Sequence, residues 1–134
     1  MTTGYKSEIG RHVRLYLYRL PRKNHDAMVN LGNQFADIFK NYGCYARSFK
    51  LESTETSKEF TDVAKILLCD QSEEIWLDLE FTEDPRHRDQ VDSEIQNDKT
   101  AALLMKEFLE LIVQGARSIK SDFIYSGNMD GRSQ

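Results

Sequence analysis

The sequence predicts an α+β fold, a ferredoxin-like four-stranded antiparallel sheet with helices on one face. Three observations predict it. Apolar and polar residues alternate in "VRLYLYRL" and "EEIWLDLEF", as in half-buried strands. Apolar residues recur at three-and-four spacing in "DAMVNLGNQFADIFKNY" and "KTAALLMKEFLELI", as in amphipathic helices. The patterns follow one another as strand, helix, strand, short helix, strand, broken helix, strand, which is strand–helix–strand twice over. A chain of 134 residues suits one domain, 1–134, with frayed tails expected at 1–10 and 128–134.

The first strand is "RHVRLYLYRLP", with Val13, Leu15 and Leu17 on one face and Arg14, Tyr16 and Tyr18 on the other. Pro21 cannot donate to a ladder and ends it. The first helix buries Met28, Leu31, Phe35, Ile38, Phe39 and Tyr42, with Asn24 as N-cap, Asp26 complementing the dipole and Gly43 just past its end. Gly32, inside it, costs about 1 kcal/mol against alanine and marks a close approach.

"CYARSFKLES" alternates as a second strand, with Tyr45, Phe49 and Leu51 in one parity. "SKEFTDVAKILLCD" then places Phe60, Val63, Ala64, Leu67 and Leu68 on the stripe of a short helix. In the third strand Ile75, Leu77, Leu79 and Phe81 point one way, and Trp76, Asp78 and Glu80 the other. Asp84 caps the next helix, with Pro85 at its first position. Val91 and Ile95 carry its stripe until "NDKT" interrupts, where Asp98 or Thr100 caps a second helix bearing Ala102, Leu103, Met105, Phe108, Leu109 and Ile112. Gly115 is expected to end that helix, and "SDFIYSG" forms the last strand.

A net charge of −4 argues against a general nucleic-acid binder, which needs a basic footprint. Arg11, Arg14, Arg19, Arg22 and Lys23 crowd one strand, and this run reads as strand-end solvation. Cys44 and Cys69 lack metal-knuckle or redox spacing and read as buried or half-buried hydrophobes in a reducing compartment. The N-terminus has no secretory pattern, and no stretch reaches the roughly 18 apolar residues of a membrane span, so the cytoplasm is the expected address.

If the aliphatic positions of the strands meet the helices, the opposite sheet face carries Tyr16, Tyr18 and Trp76 among Arg14, Asp78 and Glu80. An aromatic patch of that kind marks an interaction surface. The expected partner is a second copy, sheet to sheet in a two-fold homodimer, with Arg14 paired to Asp78 or Glu80. The same composition suits a small-molecule pocket, making Arg14, Tyr16, Tyr18, Trp76, Asp78 and Glu80 the candidate ligand-binding residues.

The motifs "YRLPRKN" before the first helix, "NYGCYA" at its end, "FTDVAK" mid-chain and "HRDQV" at a later helix start resemble the YbaA-like family. In order and spacing they cover most of residues 11–127. The family consists of small prokaryotic proteins of unknown function within the dimeric α+β barrel superfamily. The resemblance implies a dimeric barrel and no settled activity. By analogy, the superfamily includes cofactor-free monooxygenases, haem-degrading enzymes, muconolactone-type isomerases and non-enzymatic binders.

His87 and Arg88 lie in the first turn of a helix, where their charge opposes the dipole. Asp84, Asp89 and Asp92 are at hand, so a surface salt-bridge cluster is expected ahead of an anion site. His12 and His25 lack a companion at metal-ligand spacing, and neither a metal nor a cofactor is expected. No nucleophile elbow, phosphate loop or triad pattern is present. Cys44 follows a helix C-terminus, which raises a thiol's pKa. Asp78 and Glu80 share a strand face about 7 Å apart. One of them, buried, could titrate high and act as acid or base; pairing with arginine is the plainer reading. Two functions stand: a homodimeric small-molecule-binding or structural module, and a cofactor-independent monooxygenase- or isomerase-like enzyme acting on a small aromatic or lactone-like substrate.

Overall fold

The computed structural model describes residues 10–52, 57–113 and 117–127. Among the described residues there are four strands: β1 (His12–Pro21), β2 (Tyr45–Lys50), β3 (Glu73–Thr82) and β4 (Ile119–Ile124). Between them lie α1 (His25–Asn41), the single turn α2 (Val63–Ile66), α3 (Pro85–Gln96) and α4 (Lys99–Leu111). The sheet is antiparallel throughout, in the order β2-β3-β1-β4, consistent with the ferredoxin-like arrangement. No described helix is long and apolar enough to cross a membrane.

Local chemistry explains most element ends. Gly43 takes φ +76, the left-handed conformation that stops α1. Asp84 accepts from the His87 N–H and Asp98 from the Ala101 N–H, so each caps its helix. Asn24 does not cap α1; its amide donates to Leu111 O and ties α1 to the end of α4. The tails expected at 1–10 and 128–134 lie outside the described residues except for Gly10, as does Gly115. Helix α4 already ends at Leu111.

Two apolar stripes differ from the expected ones. Only Val63–Ile66 is helical in the middle segment, because Leu68 turns to φ +56 just after it. Leu67 is therefore fully buried while Phe60 remains 79% exposed. In α4 the inward residues are Ala101, Leu104 and Phe108, and Leu103 points outward at 70% exposure. Both runs are so rich in aliphatic residues that more than one face satisfies helical spacing.

The larger correction concerns which sheet face the helices cover. Tyr18 and Trp76, 2% and 5% exposed, form the core with Leu20, Met28, Leu31 and Leu104, and Tyr16 packs against them. The face expected to be open is thus the helix-covered one. Val13, Leu15, Leu17, Leu77 and Leu79 lie on the opposite face, half-buried, with Phe49 and Phe123 more than half exposed. Alternation separates two faces but does not say which receives the helices. Burying aromatic rings removes more apolar area, and their polar tips find partners here: Tyr18 donates to Asp78 and the Trp76 indole to Glu74.

Candidate functional site

Between the covered sheet face and helices α1, α3 and α4 lies a cavity of about 500 Å3. The central strands build its floor through their pairing. Arg14 lies opposite Glu80, Tyr16 opposite Asp78, and Ser48 of β2 on the other side of Asp78. Helix α1 supplies Met28, Phe35 and Phe39 to the wall, and α4 supplies Phe108 and Leu109, with Ile112 just past its end. Gly32 of α1 also lines it; a Cβ there would meet only the Ser48 hydroxyl, at 4.0 Å. Helix α3 contributes Arg88 and Asp92. The chamber is therefore apolar and aromatic along α1 and α4 and polar along its floor and α3, a mixture usual in ligand pockets.

Five of the six candidate residues, Arg14, Tyr16, Tyr18, Asp78 and Glu80, line this cavity. Trp76 does not. Its indole donates to Glu74 Oε1 at 2.9 Å and packs edge-on against His25, so it belongs to the core. Arg14 is also not at a solvated strand end, nor does it pair with Asp78 or Glu80. Its Nε donates to Asp122 at 2.7 Å and its Nη1 to Asp92 at 2.8 Å. Burial opposes its charge, but those carboxylates outweigh it and hold the guanidinium firmly protonated.

Arg88 was the residue hidden from sequence reasoning. Rather than joining a surface cluster, it is 3% exposed and donates to Glu80 at 3.0 Å and to Asp92 at 2.7 Å. The available signal was its place three residues before Val91 and seven before Ile95, which is a buried-face position of the helix. His87, its neighbour, has a structural role. Its Nδ1 accepts from the Glu83 N–H at 3.0 Å, which leaves Nε2–H to donate to Tyr42 O at 3.0 Å.

No family model matches this chain, and no curated protein matches its sequence.

The floor carboxyls are electrostatically unusual. Burial raises Glu80 to about 7, against the pull of Arg88 and Arg14, and the nearby Asp78 pushes in the same direction. Burial also raises Asp78, opposed only by the hydroxyls of Ser48 and Tyr18. Tyr18 donates to Asp78 Oδ2 at 2.8 Å, whereas the buried Oδ1 has no hydrogen bond of normal geometry. Tyr16 is raised to about 12, chiefly by burial. Cys44, beside Arg88, is raised to about 12, and burial rather than the preceding helix end is the main cause. Such a thiol is not a nucleophile at neutral pH. Among the described residues, no group of three or more His, Cys, Asp or Glu is placed to hold a metal ion.

Proposed function

We propose that this protein is a homodimeric small-molecule-binding protein of the α+β barrel kind, with its ligand held between sheet and helices. The observation that carries the reading is the cavity of about 500 Å3, whose apolar helix wall faces a polar floor. A neutral solvatochromic dye, Nile red, should bind saturably at one site per chain. Gly32→Leu, which fills the space above Ser48, should suppress that binding, while Gly32→Ala should largely keep it. Binding unaffected by Gly32→Leu would remove the cavity from consideration.

Dimerisation is part of the proposal, moved to the other face of the sheet. Val13, Leu15, Leu17, Leu77 and Leu79 present a contiguous aliphatic surface, flanked by Phe49 and Phe123. A second copy related by a two-fold axis would bury it face to face. Light scattering should report about twice 15.6 kDa, and Leu15→Lys with Leu79→Lys should return the monomer. A monomeric parent protein would end the barrel reading. Membership of the YbaA-like family is proposed on the four motifs alone. Cytoplasmic residence is proposed on the two unpaired cysteines, Cys44 and Cys69.

One observation favours a second reading, a cofactor-independent monooxygenase- or isomerase-like enzyme. Glu80, raised to about 7 in the wall of a ligand-sized chamber, has the protonation behaviour of a general base at neutral pH. Conversion of a bound aromatic or lactone-like compound, lost in Glu80→Gln with binding intact, would establish it. Turnover undiminished in that variant would exclude Glu80 as the base.

A further inference from the structure

Two buried arginines, Arg14 and Arg88, face the cavity, and Arg47 and Lys120 are exposed at its edge. Arg14 and Arg88, both buried, are shared by three carboxylates: Glu80 pairs with Arg88, Asp122 with Arg14, and Asp92 with both. Asp92 Oδ1 accepts from Arg14 Nη1 and Arg88 Nη2, and Asp92 Oδ2 from Arg14 Nη2. A fourth carboxyl, Asp78, also lines the chamber, with only hydroxyl groups and no guanidinium against it. A ligand carboxylate would compete with Asp92 and Glu80 for the two arginines, leaving it only Arg88 Nε, which lacks a partner of normal geometry, and Lys120 at the rim. A ligand cation would find a carboxyl that lacks one.

Resting on the reading of this cavity as a ligand site, we propose that its ligands are hydrophobic amines, bound with the protonated nitrogen beside Asp78 and the apolar body against Phe35, Phe108 and Ile112. Every element around Asp78 fits this arrangement. β1 brings Arg14, Tyr16 and Tyr18, of which Arg14 is occupied by Asp92 and Asp122. From β2 come Ser48 and the exposed, already engaged Arg47; β3 adds Glu80, and α3 the Arg88–Asp92 pair. β4 adds Lys120, exposed at the rim near the Tyr16 ring, and Asp122. Helices α1 and α4 line the chamber with apolar side chains and Gly32 only. Asp92 and Asp122 are 41% and 44% exposed, so water screens part of their charge. Asp78 is the carboxyl in the wall with the most to gain from a bound cation.

The raised titration of Asp78 gives the proposal a pH signature. An ammonium group stabilises the ionised carboxyl, so amine affinity should fall as the solution is acidified through the Asp78 titration. A neutral ligand of the same shape should lack that fall.

The test compares three isosteres, phenylbutylamine, phenylbutanol and phenylbutyrate, by calorimetric titration into the full chain at neutral pH. The amine should bind at least about tenfold more tightly than the carboxylate, as one charge-assisted hydrogen bond allows. Acidification should weaken the amine alone, and Asp78→Asn should abolish the preference. Equal or tighter binding of phenylbutyrate would overturn the amine assignment while leaving the cavity as a ligand site. A preference that survives in folded Asp78→Asn would overturn the role of Asp78. If none of the three binds and Nile red does not bind either, the cavity reading and this inference fall together. Should Asp78→Asn fail to fold, the ranking of the three isosteres on the parent protein decides the matter.

Discussion

Arg88 reaches from the first turn of α3 to Glu80 near the end of β3, closing a buried ion pair at 3.0 Å. Both side chains are nearly removed from water, so the pair is held by geometry and by Asp92 behind it. Breaking a buried pair from one side costs more than the pair contributes, because the remaining charge is stranded. Arg88→Met should destabilise the protein by about 3 kcal/mol in urea denaturation above neutral pH. The loss should shrink on acidification, since a protonated Glu80 does not need the guanidinium.

Glu80 also sets a slope of stability against pH. Its carboxyl rises from 4.5 in the free side chain to about 7 in the fold. Folding therefore favours the protonated form. The contribution of Glu80 is full below pH 4.5 and is lost as pH rises through about 7. Glu80→Gln should flatten this part of the stability profile, and an unchanged fall over the same range would assign it to another group.

Tyr18→Phe tests the polar contact within the aromatic core. The hydroxyl donates to Asp78 Oδ2 at 2.8 Å, and its loss leaves both oxygens of a buried carboxyl short of donors. We expect a loss of about 1–3 kcal/mol in denaturation, with Asp78 pushed further upward by NMR titration.

Gly32, inside α1, and Gly43, just past its end, should behave in opposite ways. At Gly32 a methyl group would meet only Ser48 Oγ at 4.0 Å, an ordinary contact. Gly32→Ala should raise stability by about 0.5–1 kcal/mol through the lower backbone entropy of alanine. Gly43→Ala should lower it by about 1 kcal/mol or more, because φ is +76 and a Cβ would lie 3.2 Å from His87 Nε2. In a double-mutant cycle with His87→Ala, the steric part of the Gly43→Ala loss should disappear and the conformational part remain.

The sheet was legible because alternation is a local signal. Leu15 against Tyr16, or Leu77 against Asp78, can be sorted within a few residues. The assignment of those faces was not local, since it depends on whether Tyr18 and Trp76 find partners for their polar tips. Those partners, Asp78 and Glu74, are known only once β1 and β3 are paired. Likewise, Asp78 and Glu80 stood out as carboxyls on an aromatic strand face. Arg88 did not, because a charged residue in the first turn of a helix ordinarily faces water. Pro85 and the Asp84 cap fix the start of that helix, and its orientation over β3 turns Arg88 inward.

The strand order has a consequence for how the chain acquires its shape. Of the described strands, β1 and β2 are synthesised first, yet they are not neighbours, because β3 separates them. A nascent chain that has reached Lys50 therefore contains two strands with no ladder available between them. Pairing waits for β3, whose register joins Leu17 to Leu77 and Phe49 to the same residue. Until Thr82 has emerged, α1 is the only long element able to form, and its apolar stripe has no sheet to cover. Closing such long loops before any ladder repays the lost entropy makes folding slower than in a helical bundle of this size. β3 is thus the strand on which assembly turns, and the interval before it arrives is when the chain most needs protection from self-association.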